Sequence, residues 1–522
     1  VKMELTPIFS KLLRYTIMFF IAYVIYLLYI ALVKPLVFWF KFKKYNNVHV
    51  NKYFIPLLGD LYYHVKDMNA GRVHYHHKIE QAEETKDYDL KVKLEGLNPI
   101  ILIESNKALE EFVALQPHII DRGWEYKGLT KCVPEGFINA RTTTKTHEQR
   151  KLFTSLLNLN QASKYTSGMI DCCEELLDSM KSGETYDFMF HMNAITFNIL
   201  TNVLFGDDVK ELRTKKELFP TPEGDTREMN LCEGMLMVAN SFLFQLINPI
   251  TTMFPFINKY DLINPYKRDR ENHLHLNDML KSLIAKSKDT KSVSYQVFRD
   301  SNCTKNEIFE DLVTFMVAGS ETSARTMVSM LYYMKKNPEI LAKARQELKE
   351  HGITRQSDFR KDIDMNLLQN LEYMTCVIKE ALRMDSPTFE SFTYTNYDDV
   401  KICNVPIEKG TIFKIDICSA HFYENCWLRP KEFVPERFDM DSEFYKESKK
   451  ACPDMSNYSR RAFSHGKRAC PGQTLAYLEI KIIVAYIITH IDYDVDEEFL
   501  NRHGIGFGLG SQIIPKFKVT KI

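Results

Sequence analysis

Ten residues, Phe463-Ser464-His465-Gly466-Lys467-Arg468-Ala469-Cys470-Pro471-Gly472, constrain this chain more than any other segment. They set a single thiol in a loop with glycine on both sides, and glycine lets a backbone wrap closely around a flat ligand. The surroundings suit a metal-bound thiolate: Phe463 can keep water from the sulfur, and nearby peptide N–H groups can hydrogen-bond it. Arg468 offers a fixed positive fork for a carboxylate on such a ligand. The apolar stretch Leu475 to Ile488 reads as a helix whose N-terminus points at Cys470, and the positive end of a helix dipole lowers a thiol pKa. The other ten of the eleven cysteines read as small buried hydrophobes.

The length of 522 residues admits one large domain as well as several average ones. Hydrophobic residues make up 45%, with 34 Phe, which is enough for a large core and an apolar pocket. Lys plus Arg and Asp plus Glu number 68 each, and this balance lacks the basic stripe of a nucleic-acid binder. An odd number of cysteines, no C-x-x-C and the adjacent Cys172–Cys173 fit reduced thiols facing the cytosol.

Between Arg14 and Lys34 lie nineteen uncharged residues, long enough to cross a bilayer as a helix. A signal peptide would be shorter and followed by a small-residue cleavage site. Here Lys34, Pro35, Trp39, Lys41, Lys43 and Lys44 follow instead, the aromatic and basic edge of a membrane anchor. Four lysines after the span outweigh Lys2, Lys11 and Arg14 before it, which Glu4 partly offsets; this places the rest of the chain on the cytosolic side. Pro56-Leu57-Leu58-Gly59-Asp60 is a turn that redirects the chain. Helical periodicity runs over about 160–205, 305–336, 339–349 and 367–384, and strand-like runs over about 93–103, 392–397, 401–407 and 411–417. The expected fold is mainly α with small β-sheets (α+β). Residues 1–45 are expected to form the anchor, and 46–522 one domain with no room for a flavin module.

Three further motifs carry chemistry. The helix over 305–336 opens with the capping box Thr304-Lys305-Asn306-Glu307 and changes character at Ala318-Gly319-Ser320-Glu321-Thr322. Glycine inside a helix costs about 1 kcal/mol relative to alanine, so something should compensate for Gly319. Close helix packing, with Thr322 bonding back to a carbonyl, is the structural alternative. Glu380-Ala381-Leu382-Arg383 places a charge pair on one helix face, and Pro430 to Phe438 reads P-x-x-F-x-P-x-R-F.

F-x-x-G-x-R-x-C-x-G, A-G-x-E-T, E-x-x-R and P-x-x-F-x-P-x-R-F, in this order and spacing, resemble the cytochromes P450, the haem-thiolate monooxygenases. The resemblance covers essentially everything from residue 46 onward. It implies that Cys470 is the iron ligand of a b-type haem and that Phe463, Arg468, Arg150, Ala318 and Gly319 line the cofactor. It further implies that Ala318 and Gly319 flank the oxygen site, that Thr322 hydrogen-bonds dioxygen there, and that Glu321 relays protons. Glu380, Arg383 and Arg437 would form one buried triad with a folding role. Electrons would come from a separate NADPH-dependent flavoprotein reductase, with cytochrome b5 as a second donor, in the endoplasmic reticulum membrane.

The chain also departs from the family pattern. Thr146 stands where tryptophan is usual before Arg150, and residues 384–408 contain no arginine, where relatives place a partner for a haem propionate. Anchoring of the propionates is therefore expected from Arg468 and Arg150, with His147 or Tyr394 as substitutes. Substrate contacts are expected before Arg150, over Leu231 to Phe256, around Phe389 to Phe392 and over Gly504 to Gln512. They imply a lipophilic substrate, with Asp311 either touching a polar group of it or in an ordinary salt bridge. An isomerase or dehydratase acting on peroxides, and a haem sensor or membrane scaffold, are the competing readings.

Overall fold

The computed structural model describes residues 6–50, 59–70, 72, 75–95, 98–123, 133, 135–221, 225–238, 264–496, 505–506, 509–510 and 515–522. Helix α1 (Thr6–Leu28) continues through a π-turn at Tyr29–Val33 into α2 (Lys34–Lys43). Pro35 has no N–H for the regular helical ladder, and the turn before it absorbs the defect. The apolar run Ser10–Lys43 is almost wholly exposed, whereas a second apolar helix, Phe188–Phe205, is mostly buried. The first fits a single membrane anchor and the second is core. Lys43 Nζ lies 4.4 Å from the Trp39 ring centre at the basic edge.

Six strands, β1 (Val48–Val50), β2 (Leu90–Glu95), β3 (Asn98–Ile103), β4 (Ile120–Arg122), β5 (Tyr394–Asn396) and β6 (Ile412–Ile415), form the main sheet. Its order is β1-β2-β3-β6-β5-β4. Ile101, Ile103, Phe413 and Ile415 carry its apolar face into one core. Thr185–Asp187, Ile491–Asp496 and Lys516–Lys521 form a separate three-stranded sheet.

The helices make the larger core: α3 (Thr144–Leu156), α4 (Phe188–Phe205), α5 (Lys305–Lys336), α6 (Glu372–Met384) and α7 (Gln473–His490). Helix α5 starts on the expected capping box, with Thr304 and Glu307 exchanging side-chain and backbone bonds. It packs along α4 so closely that a Cβ on Gly319 would stand 2.8 Å from Leu200 Cδ2.

Several sequence boundaries change. The run over 160–205 is broken twice, by a 3₁₀ turn at Ser163–Tyr165 and after Ser179, where Met180 turns extended and a loop leads into the Thr185–Asp187 strand. The run over 367–384 breaks at Leu371 into Met365–Asn370 and α6. The strand over 93–103 is two antiparallel strands, β2 and β3. The run over 401–407 is a hairpin, Val400–Ile402 with Val405–Ile407, turned by Cys403 and Asn404 at φ of 47° and 64°. Residues 56–58 of the expected turn, 239–256 of the second substrate area and most of Gly504–Gln512 lie outside the described residues.

Candidate functional site

The Cys470 loop is held from several directions. Cys470 N donates to Phe463 O (2.9 Å), and Ala469 N donates to Gly466 O (3.1 Å). Gly466 has φ of 76°, and a Cβ there would meet Gln116 Oε1 at 2.6 Å, so both conformation and space require glycine. Gly472 has an ordinary φ of −90° and caps α7, so its part in the loop is not conformational freedom. Backbone N–H groups of Gly472 and Gln473 donate to the Cys470 sulfur, as a thiolate requires. Burial nevertheless raises the thiol pKa on balance, against the lowering by these donors and by Arg150. Desolvation by the surrounding protein outweighs the helix terminus. Cys470 nevertheless keeps accessible surface, as does Ala318 in the middle of α5, so the desolvation comes from the protein packed around the loop and not from enclosure of the sulfur. The Phe463 ring is half-buried, with its centre 5.6 Å from that of Tyr477.

Behind the loop, Arg461 is fully buried and gives its guanidinium to the carbonyls of Ile103 (3.1 Å), Asp416 (2.8 Å) and Glu104 (2.5 Å). It fixes the loop to the main sheet, a role the motif reading missed. The expected triad is present. Arg383 Nε lies 2.7 Å from Glu380 Oε2, and Arg437 Nε lies 3.3 Å from Glu380 Oε1, with all three side chains buried. Val434 N also donates to Glu380 Oε1 (2.9 Å). Burial raises the Glu380 pKa, but Arg383 and then Arg437 outweigh it and hold the carboxyl below its usual range.

Three arginines gather on the other side of Cys470. Arg150, on α3, donates Nη2 to Ala469 O. Arg468 is buried, and its Nε lies 3.1 Å from Asp121 Oδ1, with further bonds to the carbonyls of Phe137 (3.0 Å) and Ala140 (2.5 Å). Arg122, on β4, pairs in register with Tyr394 on β5 and stacks its guanidinium 4.5 Å from that ring centre. The Arg150 pKa is lowered to about 10, by burial first and then by Arg468 and Arg122. Arg122 is 9% exposed, and its Nε and Nη1 have no hydrogen-bond partner among the described residues; nor has the Tyr394 hydroxyl. Buried donors of this kind require an acceptor, and with only Asp121 bonded within the cluster that acceptor should be anionic. A ligand that brings carboxylates beside Cys470 fits these residues. Of the expected substitutes, Tyr394 stands in this cluster, whereas His147 is exposed on α3. Sequence reasoning missed Arg122 because only the pairing of β4 with β5 brings it there.

On α5, Thr322 Oγ1 donates to Ala318 O (2.7 Å), the back-bond foreseen as the structural alternative. Glu321 is buried, and its Oε1 receives Arg325 Nη2 (2.6 Å) and Nε (3.1 Å). Glu321 and Thr322 therefore face different partners. Asp311 makes no salt bridge among the described residues. It accepts from Phe137 N (2.8 Å) and from Gln149, tying Phe137 and α3 to α5, and burial pushes its pKa up to about 8. The Phe389 to Phe392 area is more polar than expected, because Glu390 lies buried between Lys78, Lys93 (2.7 Å) and Lys414 (3.3 Å).

A family model described as Cytochrome P450 matches residues 69–505. Cytochrome P450 CYP82J17 of Trigonella foenum-graecum is 25% identical over 63% of this chain and 62% of its own length. Cytochrome P450 monooxygenase cloA of Claviceps purpurea (strain 20.1) is 25% identical over 63% of each. Cytochrome P450 3A17 of Cavia porcellus is 24% identical over 73% of this chain and 74% of its own length. The chain thus spans somewhat under two thirds of the first two relatives.

Proposed function

The chain belongs to the cytochrome P450 family, and from that premise we propose that it is a membrane-anchored haem-thiolate monooxygenase. Residues 1–45 anchor it as a single pass in the endoplasmic reticulum membrane, and 46–522 form the cytosolic haem domain. A b-type haem held by Cys470 supplies the activation of dioxygen, so that one oxygen atom enters a lipophilic substrate and the other leaves as water. Electrons come singly from a separate NADPH-dependent flavoprotein reductase, with cytochrome b5 as a second donor. Lys467, on the Cys470 side, offers charge to an acidic docking surface.

The protein's own groups have distinct tasks. Gly472 and Gln473 N–H groups stabilise the Cys470 thiolate, and Phe463 keeps water from it. Arg150, Arg468 and Arg122 orient the propionates; Arg122 takes the place of the arginine absent from residues 384–408. Ala318 leaves room on the open face of α5 and Gly319 lets α4 pack close behind it, Thr322 presents a hydroxyl, and Glu321 brings a proton. The observation that carries this reading is the Cys470 sulfur with two backbone donors beside three clustered guanidiniums, of which Arg122 keeps two buried donors without a partner among the described residues.

Purified protein, reductase, NADPH and a lipid extract should yield products heavier by one oxygen atom, dependent on dioxygen. Reductase-independent turnover of a lipid hydroperoxide would point to an isomerase or dehydratase instead. The absence of any NADPH-dependent product would point to a sensor or scaffold.

A further inference from the structure

The carboxylate expected to bring protons is already engaged. Glu321 and Arg325 stand one helical turn apart on α5, are 5% and 4% exposed, and form a buried ion pair with both guanidinium donors on Oε1. A carboxylate held this way points along the helix toward its C-terminus. The Thr322 hydroxyl instead bonds to Ala318 O, one turn in the other direction. Proton transfer between the two requires donor and acceptor within hydrogen-bond reach, directly or through one water.

The helix also offers the guanidinium a second destination. Glu321, Arg325 and Ser329 are spaced i, i+4 and i+8, so they share one face. Ser329 Oγ donates to Asp385 Oδ2, which brings a second buried carboxylate to the turn after Arg325. The Tyr75 hydroxyl lies 3.5 Å from Asp385 Oδ1; burial first and then the Asp385 charge push its pKa up, and the Arg325 charge opposes them. Arg325 Nη1 is buried without a partner among the described residues. One edge of the guanidinium is therefore committed to Glu321 and one donor is uncommitted, with Asp385 beyond it. A long side chain between two carboxylates, with a donor to spare, is the physical form of a two-position switch.

We propose that Arg325 is a positioning residue that ties Glu321 back from Thr322, and that swinging of its guanidinium toward Asp385 releases Glu321 to deliver protons. This rests on the monooxygenase reading for its consequence but not for its geometry, and the test separates the two. The Glu321 carboxylate is first identified in the infrared spectrum of the full-length holoprotein as the band lost in Glu321→Gln. In Arg325→Met that band shifts, and in Arg325→Lys, which restores a cation, it returns toward its original place. A band unmoved by Arg325→Met overturns the pairing, whatever the protein's activity.

The second measurement is NADPH oxidation with reductase and no added substrate, in which NADPH, one proton and one dioxygen give NADP⁺ and hydrogen peroxide. With the tie removed, Arg325→Met should release hydrogen peroxide several-fold faster and with a smaller solvent isotope effect, while Arg325→Lys stays near wild type. Unchanged rate and isotope effect, in a variant whose band has shifted, overturn the gating. No NADPH oxidation in wild type strikes the monooxygenase reading and leaves the infrared result to decide the pairing. If Arg325→Met does not fold, Glu321→Gln/Arg325→Gln removes both charges together. Folding of that double variant supports the ion pair, and its failure contradicts it.

Discussion

Two buried carboxylates, Glu380 beneath the Cys470 loop and Glu321 on the central helix, are built on opposite terms. Glu380 takes Arg383, Arg437 and a backbone N–H, and the arginines spend their remaining donors on the carbonyls of His421, Pro430 and Arg429. Glu321 has one arginine, on one oxygen, and that arginine keeps a donor without a partner among the described residues. The first arrangement has a single low-energy state and fixes geometry. The second leaves an alternative within reach, as the proton delivery proposed for Glu321 requires. Stability is concentrated where the ligand sulfur must be held, and slack is kept where reaction calls for movement.

The largest effect tests the saturated side. Glu380→Ala strands two buried guanidiniums and should cost roughly 3–5 kcal/mol, read as loss of folded holoprotein or a steep fall in denaturation midpoint. A loss under about 1 kcal/mol would mean the triad is as dispensable as a surface pair.

A smaller effect sharpens the contrast at the arginine cluster. On the proposed reading, Arg122→Leu would remove charge-assisted bonds to the propionates, each worth about 1.5–3 kcal/mol. Haem should pass to a scavenging globin roughly ten- to a hundred-fold faster, with unfolding of the apoprotein little changed. Equal loss of haem in wild type and variant would remove Arg122 from the site.

Titration separates the two kinds of carboxyl further. Burial pushes Glu479, which among the described residues bonds only Ser323, up to about 8 from its ordinary 4.5. The fold then binds a proton that the unfolded chain gives up, so stability is full below about pH 4.5 and falls as pH rises to about 8. Asp311 and Glu104, also raised to about 8, act in the same direction. Glu380, held low, acts oppositely: its contribution is lost only as pH falls below its ordinary 4.5. Glu479→Gln should flatten the decline of unfolding free energy between pH 5 and 8, by up to about 1.4 kcal/mol per pH unit. The same slope in wild type and variant would deny Glu479 its buried proton.

The smallest effect concerns Gly319. Alanine gains about 1 kcal/mol of helix propensity but must displace Leu200, at a cost of about 1–3 kcal/mol. A net loss near 1 kcal/mol, reversed in a Leu200→Ala background, would show that Gly319 serves the packing of α4 on α5. A loss that Leu200→Ala leaves unchanged would assign it to the open face of α5 instead.

What the sequence could reveal follows the range of the interactions. The thiol loop, the capping box at Thr304 and the Glu380–Arg383 pair are local, and each stands in the structure where spacing put it. Breaks after Ser179 and at Leu371 escaped because helical periodicity resumes beyond each interruption. Arg122 and Arg461 escaped for a different reason. Their partners lie hundreds of residues away in the chain, and only the pairing of β4 with β5 and the seating of the loop on the main sheet bring them into place. Arg325 was adjacent to a recognised motif. Its burial, not its spacing, gives it significance, and burial is not written in the local sequence.

The central claim is a sulfur bond from Cys470 to haem iron. The direct measurement is the absorption spectrum of the reduced, carbon monoxide-bound protein, in wild type and in Cys470→Ser. Wild type should show the strongly red-shifted band of thiolate ligation, and the variant should lose it. A wild-type protein without that band, or a variant that keeps it, would contradict the assignment.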